Sequence, residues 1–479
     1  MLFNSLSFLI FFPITTALYF LLPHKFRWAL LLLAGCIFYI AFIPSYILIL
    51  FFIILVDYGA AFLIDGSSGR KRKVFLAMSI VANVGLLAFF KYYGFAADNV
   101  ANLANFLGWN YSLPALAFIL PLGLSFHTFQ AMSYTIEVYR GNQKPEKHLG
   151  IYALYVLFYP QLVAGPIERP QNLIHQFYER HDFDYDRVTS GLKLMLWGFF
   201  KKMVIADKAA IFVDVVYNNV HSYQGVSLWV ATILFAFQIY CDFSGYSDIA
   251  IGSARVLGIK LMDNFKQPYF AKSIAEFWQR WHISLSSWFR DYLYIPLGGN
   301  RVSRIRWYLN IMIVFLVSGL WHGANWKFVI WGALHGFYQL VGISKNNLKE
   351  YIKRILSSWT AVQLESMNYY FLQTYKFFQV VITFMLVSFA WIFFRAPNID
   401  DAFYVVRNLL SGPITREALL LGQPLTRLIT LVVAIMFMEY APLTRVKSVY
   451  GRWGICLVLF WSIIFLGQFG EKSFIYFVF

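Results

Sequence analysis

Apolar runs close to the width of a bilayer recur along this chain, and nothing else in it restricts the fold as strongly. They include Leu2–Leu22, Trp28–Ile43, Tyr46–Ile64, Val74–Ala96, Val226–Tyr240, Ile311–Trp321, Phe377–Phe394, Leu428–Met438 and Trp453–Gly467. Several approach the roughly 20 residues that cross a bilayer as a helix. In lipid each backbone N–H and C=O must be satisfied within the protein, so an unpaired span has to be helical. With 59% hydrophobic and only 13% charged residues, polar side chains are too few to cover a water-soluble surface. The expected fold is an all-α polytopic membrane protein of about ten or eleven crossings, some of them re-entrant.

Leu2–Leu22 has no short apolar core ending in a small-residue cleavage site, and a second span follows at once, so it reads as a retained helix. The net charge of +16 raises the question of nucleic acid. The basic residues, however, sit between spans rather than on a basic face with nucleic-acid motifs, so topology explains them. His24-Lys25-Phe26-Arg27 and Gly69-Arg70-Lys71-Arg72-Lys73 then face the cytoplasm, as does the loop carrying Arg445, Lys447 and Arg452 on the upstream side of the last span. Both termini are expected outside. Cys36, Cys241 and Cys456 are scattered without CxxC spacing, which gives neither a disulfide framework nor a metal site.

The chain reads as a single membrane domain, 1–479, in four parts. Residues 1–115 form an N-terminal wall of plain spans, and 377–479 the C-terminal spans with an extracytoplasmic tail. Residues 115–345, punctuated by Gly, Pro, His and charge, are the expected core, because irregular backbone at membrane depth survives only where protein buries it or water reaches it. Residues 345–376, with Leu348, Ile352, Ile355 and Leu356 spaced among basic residues, predict an amphipathic helix on the cytoplasmic surface.

Two histidines in this core invite chemistry. His322 ends the run from Ile311, and an ionisable group at such a place is a functional hypothesis by default. A neutral imidazole accepts a proton from a hydroxyl near pH 7. Gly319, Gly323 and Ala324 are expected to leave room beside its ring, with Trp321 next to it and Asn325 on the same helix face to fix its tautomer. His282 lies forty residues earlier, among Arg280, Arg290, Asp291 and Arg301, which must pair or be wet. A helix with the stripe Trp278, Trp281, Leu285 and Trp288 would put Arg280 and Ser284 on another side, and Pro296–Asn300 would end it. Arg280, Ser284, Arg290, Asp291, Tyr294 and Asn300 are thus candidate lining for a funnel that holds an anionic or polyhydroxyl substrate. His335, Asp242, Asp248 and Glu168 are read as structural, the carboxylates as caps or partners of Arg169 and Arg255. Tyr240 and Tyr246 are read as wall.

EFWQRWHISLSSWFRDYLYIPLGGNR (276–301) followed by SGLWHGANWKFVIWGALHG (318–336) resembles the signature of the membrane-bound O-acyltransferase family, in its bacterial alginate O-acetylation branch. Residues 121–130, 162–169, 242–248 and 264–269 agree, and the likeness covers essentially the whole chain. His127 stands where such sequences more often carry Tyr, and no role is given to it. The resemblance implies a ring of spans about a thin centre, where a tunnel joins a cytoplasmic donor to an extracytoplasmic acceptor. It makes His322 the catalytic histidine and His282 a second functional position. It also implies a bacterial inner-membrane enzyme with no permanently bound cofactor and no resident metal. Its donor would be acetyl-CoA or another acyl thioester, and it would work with an SGNH-like extracytoplasmic acetyltransferase on a polysaccharide such as alginate. D-alanyl transfer to teichoic acid from a carrier-protein thioester is an alternative within the family, and a lipid or sugar transporter is one outside it. The tail 474–479 is too apolar to hang in water and is expected to dock. By likeness to the tyrosine-bearing motif of a small membrane peptide that serves the D-alanyl member, Tyr476 is a candidate acyl relay.

Overall fold

The computed structural model describes the chain except for residues 110–120, 122, 358–368, 413–447, 471–473 and 476–479, together with the side chains of 345–357 and 369–372. Every regular element among the described residues is helical. Six helical stretches are long and apolar enough to cross a bilayer: Pro44–Asp65, Gly69–Phe106, Val226–Val256, Arg304–His322, Gln373–Arg395 and Val449–Leu466, with the shorter apolar helix Leu6–Leu21 beside them. Lipid exposure is visible in the side chains. On Val449–Leu466, Leu457, Val458, Trp461 and Phe465 all point outward, an arrangement that hydrocarbon tolerates and water does not.

Local sequence explains several boundaries. Ser5 Oγ accepts the Phe8 N–H at 3.3 Å and starts Leu6–Leu21, as a hydroxyl at a helix N-cap does. The basic stretch 69–73 is the first turn of a helix rather than a loop, and that helix runs through a π-helical turn at Ala88–Tyr92 into Tyr93–Phe106. The described parts of 345–376 are the end of Trp326–Ser357 and the beginning of Tyr369–Arg395. Leu428–Met438 lies outside the described residues.

The chain divides into two compact units. The first comprises Met1–Asp207, Cys241–Asp263 and Ser448–Phe479. In it Tyr185–Phe199 packs against the second half of Val226–Val256 through two pairs of glycines. A Cβ on Gly191 would lie 2.7 Å from the Gly252 oxygen, and one on Gly198 2.6 Å from the Gly245 oxygen. Where lipid offers no hydrophobic drive between helices, such backbone approach is what brings them together. Polar side chains join the helices of this unit as well: the buried Asp57 carboxylate accepts Ser79 Oγ at 2.6 Å and Asn83 Nδ2 at 2.9 and 3.0 Å, and Ser79 reaches Thr135 at 3.0 Å.

The second unit comprises Lys208–Tyr240 and Asn264–Lys447. Its centre is aromatic: Trp281, Trp331 and Trp391 are fully buried, with Trp331 stacked on Trp391 at 5.8 Å and Trp281 tilted against Trp391 at 5.2 Å. Both candidate histidines belong to this unit.

Candidate active site

The helix Arg304–His322 stops at its histidine. Gly323 is in extended conformation, with its N–H on the Gly319 oxygen at 3.3 Å, and the next helix starts at Trp326. Asn325 therefore does not share a helix face with His322. It lies in the break, where its Oδ1 accepts the Lys327 N–H at 3.0 Å and caps the following helix.

The glycines around His322 also act differently from the expectation. A Cβ on Gly319 would lie 2.2 Å from the Phe328 oxygen, and one on Gly323 2.0 Å from the Phe328 ring; on the facing helix, a Cβ on Gly332 would lie 2.3 Å from the Phe315 oxygen. The space beside the histidine is filled by the hairpin partner rather than left for substrate. Gly319→Val is accordingly expected to force the two helices apart at a cost of about 1–3 kcal/mol or more, as overpacking does. A lowered thermal midpoint of the detergent-solubilised protein checks it; an unchanged midpoint contradicts the close approach.

His322 sits in an aromatic box. Its ring meets Trp321 at 5.0 Å, Trp331 at 5.0 Å and Phe394 at 5.3 Å, each at a steep angle, and the residue is 6% exposed. Three aromatic walls hold the imidazole and keep bulk water from it.

His282 is placed by a break that periodicity did not show. The expected single helix is two short ones, Ile274–Arg280 and Ile283–Phe289. Between them His282 has φ 44°, in the left-handed region, which residues with a Cβ adopt at a cost. The surroundings enforce it. The segment that begins at Asn264 runs alongside, with Lys266 N–H on the Arg280 oxygen and Ile283 N–H on the Asn264 oxygen, both at 2.9 Å. Asn264 Oδ1 then accepts Ser284 N–H at 3.2 Å, Ser284 Oγ–H at 2.9 Å and His282 Nδ1 at 3.1 Å. A carbonyl oxygen only accepts, so Nδ1 carries the proton and Nε2 the lone pair. The His282 ring lies 6.2 Å from Trp321, so the two histidines flank the same indole.

His335 is on the second helix of the hairpin. Trp278 Nε1 donates to its Nδ1 at 3.3 Å, and Trp331 stands between it and His322, at 4.9 and 5.0 Å. Bonded in this way within the aromatic core, it supports the walls of the box.

The fold thus gathers His282, Ser284, Trp321 and His322. Other candidates make their contacts elsewhere. Arg280 pairs with Glu276 one turn away, Arg290 with Asp291 at 2.8 Å, and Tyr294 accepts Trp307 Nε1 at 2.8 Å; Asn300 is exposed. In the first unit Asp242 and Asp248 pair with lysines rather than with the arginines expected, whereas Glu168 does meet Arg169, through its charge and its backbone N–H. Asp242 and Asp207 both hold Lys202, Asp248 holds Lys201 at 2.8 Å, and Glu168 accepts the Met262 N–H. Arg255 donates to Ser190 instead.

Asn264, Trp331 and Phe394 belong to the site and received no role from the sequence. Asn264 opens one of the shorter matching motifs, and that was its only signal. Phe394 is one aromatic among several at the end of an apolar span, with nothing to distinguish it.

Residues 148–348, which include His282, Ser284, Trp321 and His322 but not Phe394, match the family described as MBOAT, membrane-bound O-acyltransferase family. The chain is 36% identical over 414 residues to the probable alginate O-acetylase AlgI of Pseudomonas aeruginosa, covering 86% of this chain and 75% of that protein. It is 36% identical to the peptidoglycan O-acetyltransferase of Helicobacter pylori, covering 80% and 73%. The teichoic acid D-alanyltransferase of Streptococcus thermophilus is 31% identical over 45% of this chain and 55% of its own length.

Proposed function

Since the chain belongs to the membrane-bound O-acyltransferase family, we propose that it moves an acetyl group from a cytoplasmic thioester, acetyl-CoA, across the inner membrane toward O-acetylation of an extracytoplasmic polysaccharide. The observation that carries this reading is the boxed His322, with a second, tautomer-fixed histidine on the other side of Trp321. His322 accepts the proton of the acceptor hydroxyl, the freed oxygen attacks the thioester carbonyl, and the departing thiolate takes the proton back from the imidazolium. The aromatic walls hold the base in place, and His282 with Asn264 and Ser284 positions the reactants. Membership in an enzyme family sets the transporter reading aside. Acetyl is preferred to D-alanyl because the O-acetylating relatives align over 80–86% of this chain and the D-alanyl relative over 45%.

The free thiol of coenzyme A returns to the cytoplasm, and the acetyl group passes to a partner, an SGNH-like extracytoplasmic transferase that finishes the transfer to polymer. Tyr476, outside the described residues, is proposed as the carrier between the two. Its neighbours support a docked tail: Phe474 packs edge-on against Tyr246 at 4.5 Å with Lys202 over its face at 4.5 Å, and Ile475 N–H donates to Asp242 Oδ2 at 2.8 Å. Tyr476→Phe is expected to preserve yield and to stop polymer acetylation, measured as ester per unit of polymer. A fully active Phe variant leaves the tail only its anchoring role.

The reading as a whole is tested by mild base treatment of envelope polymer from the parent strain and from one lacking this gene. Acetate released from the first and not the second is the expected result. D-alanine in place of acetate selects the alternative, and equal release from both removes the function.

A further inference from the structure

The first unit holds a cavity of about 240 Å³ lined by Arg187, Arg255 and Lys260, with one carboxylate, Asp263, and the apolar Ile251 and Leu261. Three cations against one carboxylate leave an excess of positive charge. None of the three is in an ion pair among the described residues. Arg255 donates to the neutral Ser190 Oγ at 3.0 Å, Arg187 to the Asp182 backbone oxygen, and Arg187 Nε is buried with no partner. A cluster of guanidinium and ammonium groups held open in this way is built for an anion, and a phosphate matches it best.

The position of the cavity narrows the source. Gly258, in its lining, lies against His181, where an added Cβ would come within 2.6 Å. The His181 oxygen accepts Arg27 at 2.6 Å, and His24 meets the Tyr178 oxygen at 3.1 Å. Gln176 binds the backbone of Lys260 in both directions, at 2.8 and 2.9 Å. The cavity is therefore at the end of the unit that carries the first basic loop, which the charge rule puts in the cytoplasm. Around it Tyr178, Phe183 and Tyr185 are all more than half exposed, as aromatic residues are at headgroup depth. Beyond Arg187 on the same helix, Leu192 also faces outward, where an acyl chain would continue.

We propose that this cavity binds the phosphate of an anionic phospholipid of the cytoplasmic leaflet. The inference is independent of acyl transfer, and its test reads binding alone. The full-length protein in detergent is titrated with phosphatidylglycerol, with phosphatidylcholine and with free coenzyme A, and bound species are counted by native mass spectrometry. Saturable retention of phosphatidylglycerol over phosphatidylcholine is expected. Arg255→Gln with Lys260→Gln should weaken it about 25-fold, since each basic residue near an anionic surface contributes about fivefold. Lys260→Gln alone, an exposed site, should weaken it about fivefold without loss of folded protein. Equal retention of both lipids, an unchanged affinity in the two variants, or displacement of phosphatidylglycerol by coenzyme A would each overturn the proposal, the last by assigning the cavity to the donor's phosphates.

Discussion

His322→Gln is expected to yield a folded, membrane-inserted protein whose acyl transfer falls about 10²- to 10⁴-fold, the range that loss of a general base costs. Glutamine keeps a polar group of similar reach inside the box of Trp321, Trp331 and Phe394 but cannot take up a proton near neutral pH. His322→Ala should be equally inactive and somewhat less stable, because it empties part of a closely packed box. Yield and thermal midpoint separate the two effects. An inactive His322→Gln of normal stability assigns the loss to chemistry, whereas loss of folded protein in both variants would point to a packing role.

The second large effect concerns His282 and the amide that holds it. His282→Ala is expected to lower activity about 10²-fold, the cost of misplacing reacting groups by about an ångström, without lowering yield. Asn264→Leu removes the oxygen shared by His282 Nδ1, Ser284 N–H and Ser284 Oγ, leaving buried donors unmatched at about 1–3 kcal/mol each. It should lose both activity and stability. Asn264→Asp retains the acceptor and should recover more of both. If His282→Ala instead depresses yield and leaves specific activity intact, the segment only anchors the fold.

Much of this fold follows from the text of the chain because hydropathy acts locally. Each apolar run from Leu2–Leu22 to Phe377–Phe394, and Trp453–Gly467 beyond it, meets a helix, since a backbone in lipid has no alternative. The two histidines stood out for the same reason, as ionisable groups where apolar ones were due. What escaped depends on distant partners. The turn at His282 is set by Asn264, eighteen residues upstream, and helical periodicity carries no sign of it. The partners of Asp242 and Asp248 are Lys202 and Lys201, forty and more residues earlier on a π-helical turn, whereas Arg169 and Arg255 were nearer to hand in motif and sequence. Gly319 and Gly323 looked like room for a substrate because a missing side chain reads the same whether a ligand or a neighbouring helix takes its place; here it is Phe328. Asn325 was counted on a helix that had already ended at His322.

The most direct test of the account is the ester content of the extracytoplasmic polymer in a strain whose only copy of this gene carries His322→Gln, at protein levels matched to the parent. The account predicts acetate released by mild base from the parent polymer and none above the level of the gene deletion from the variant. Near-parental acetate from the His322→Gln strain would contradict it and take this histidine out of the reaction.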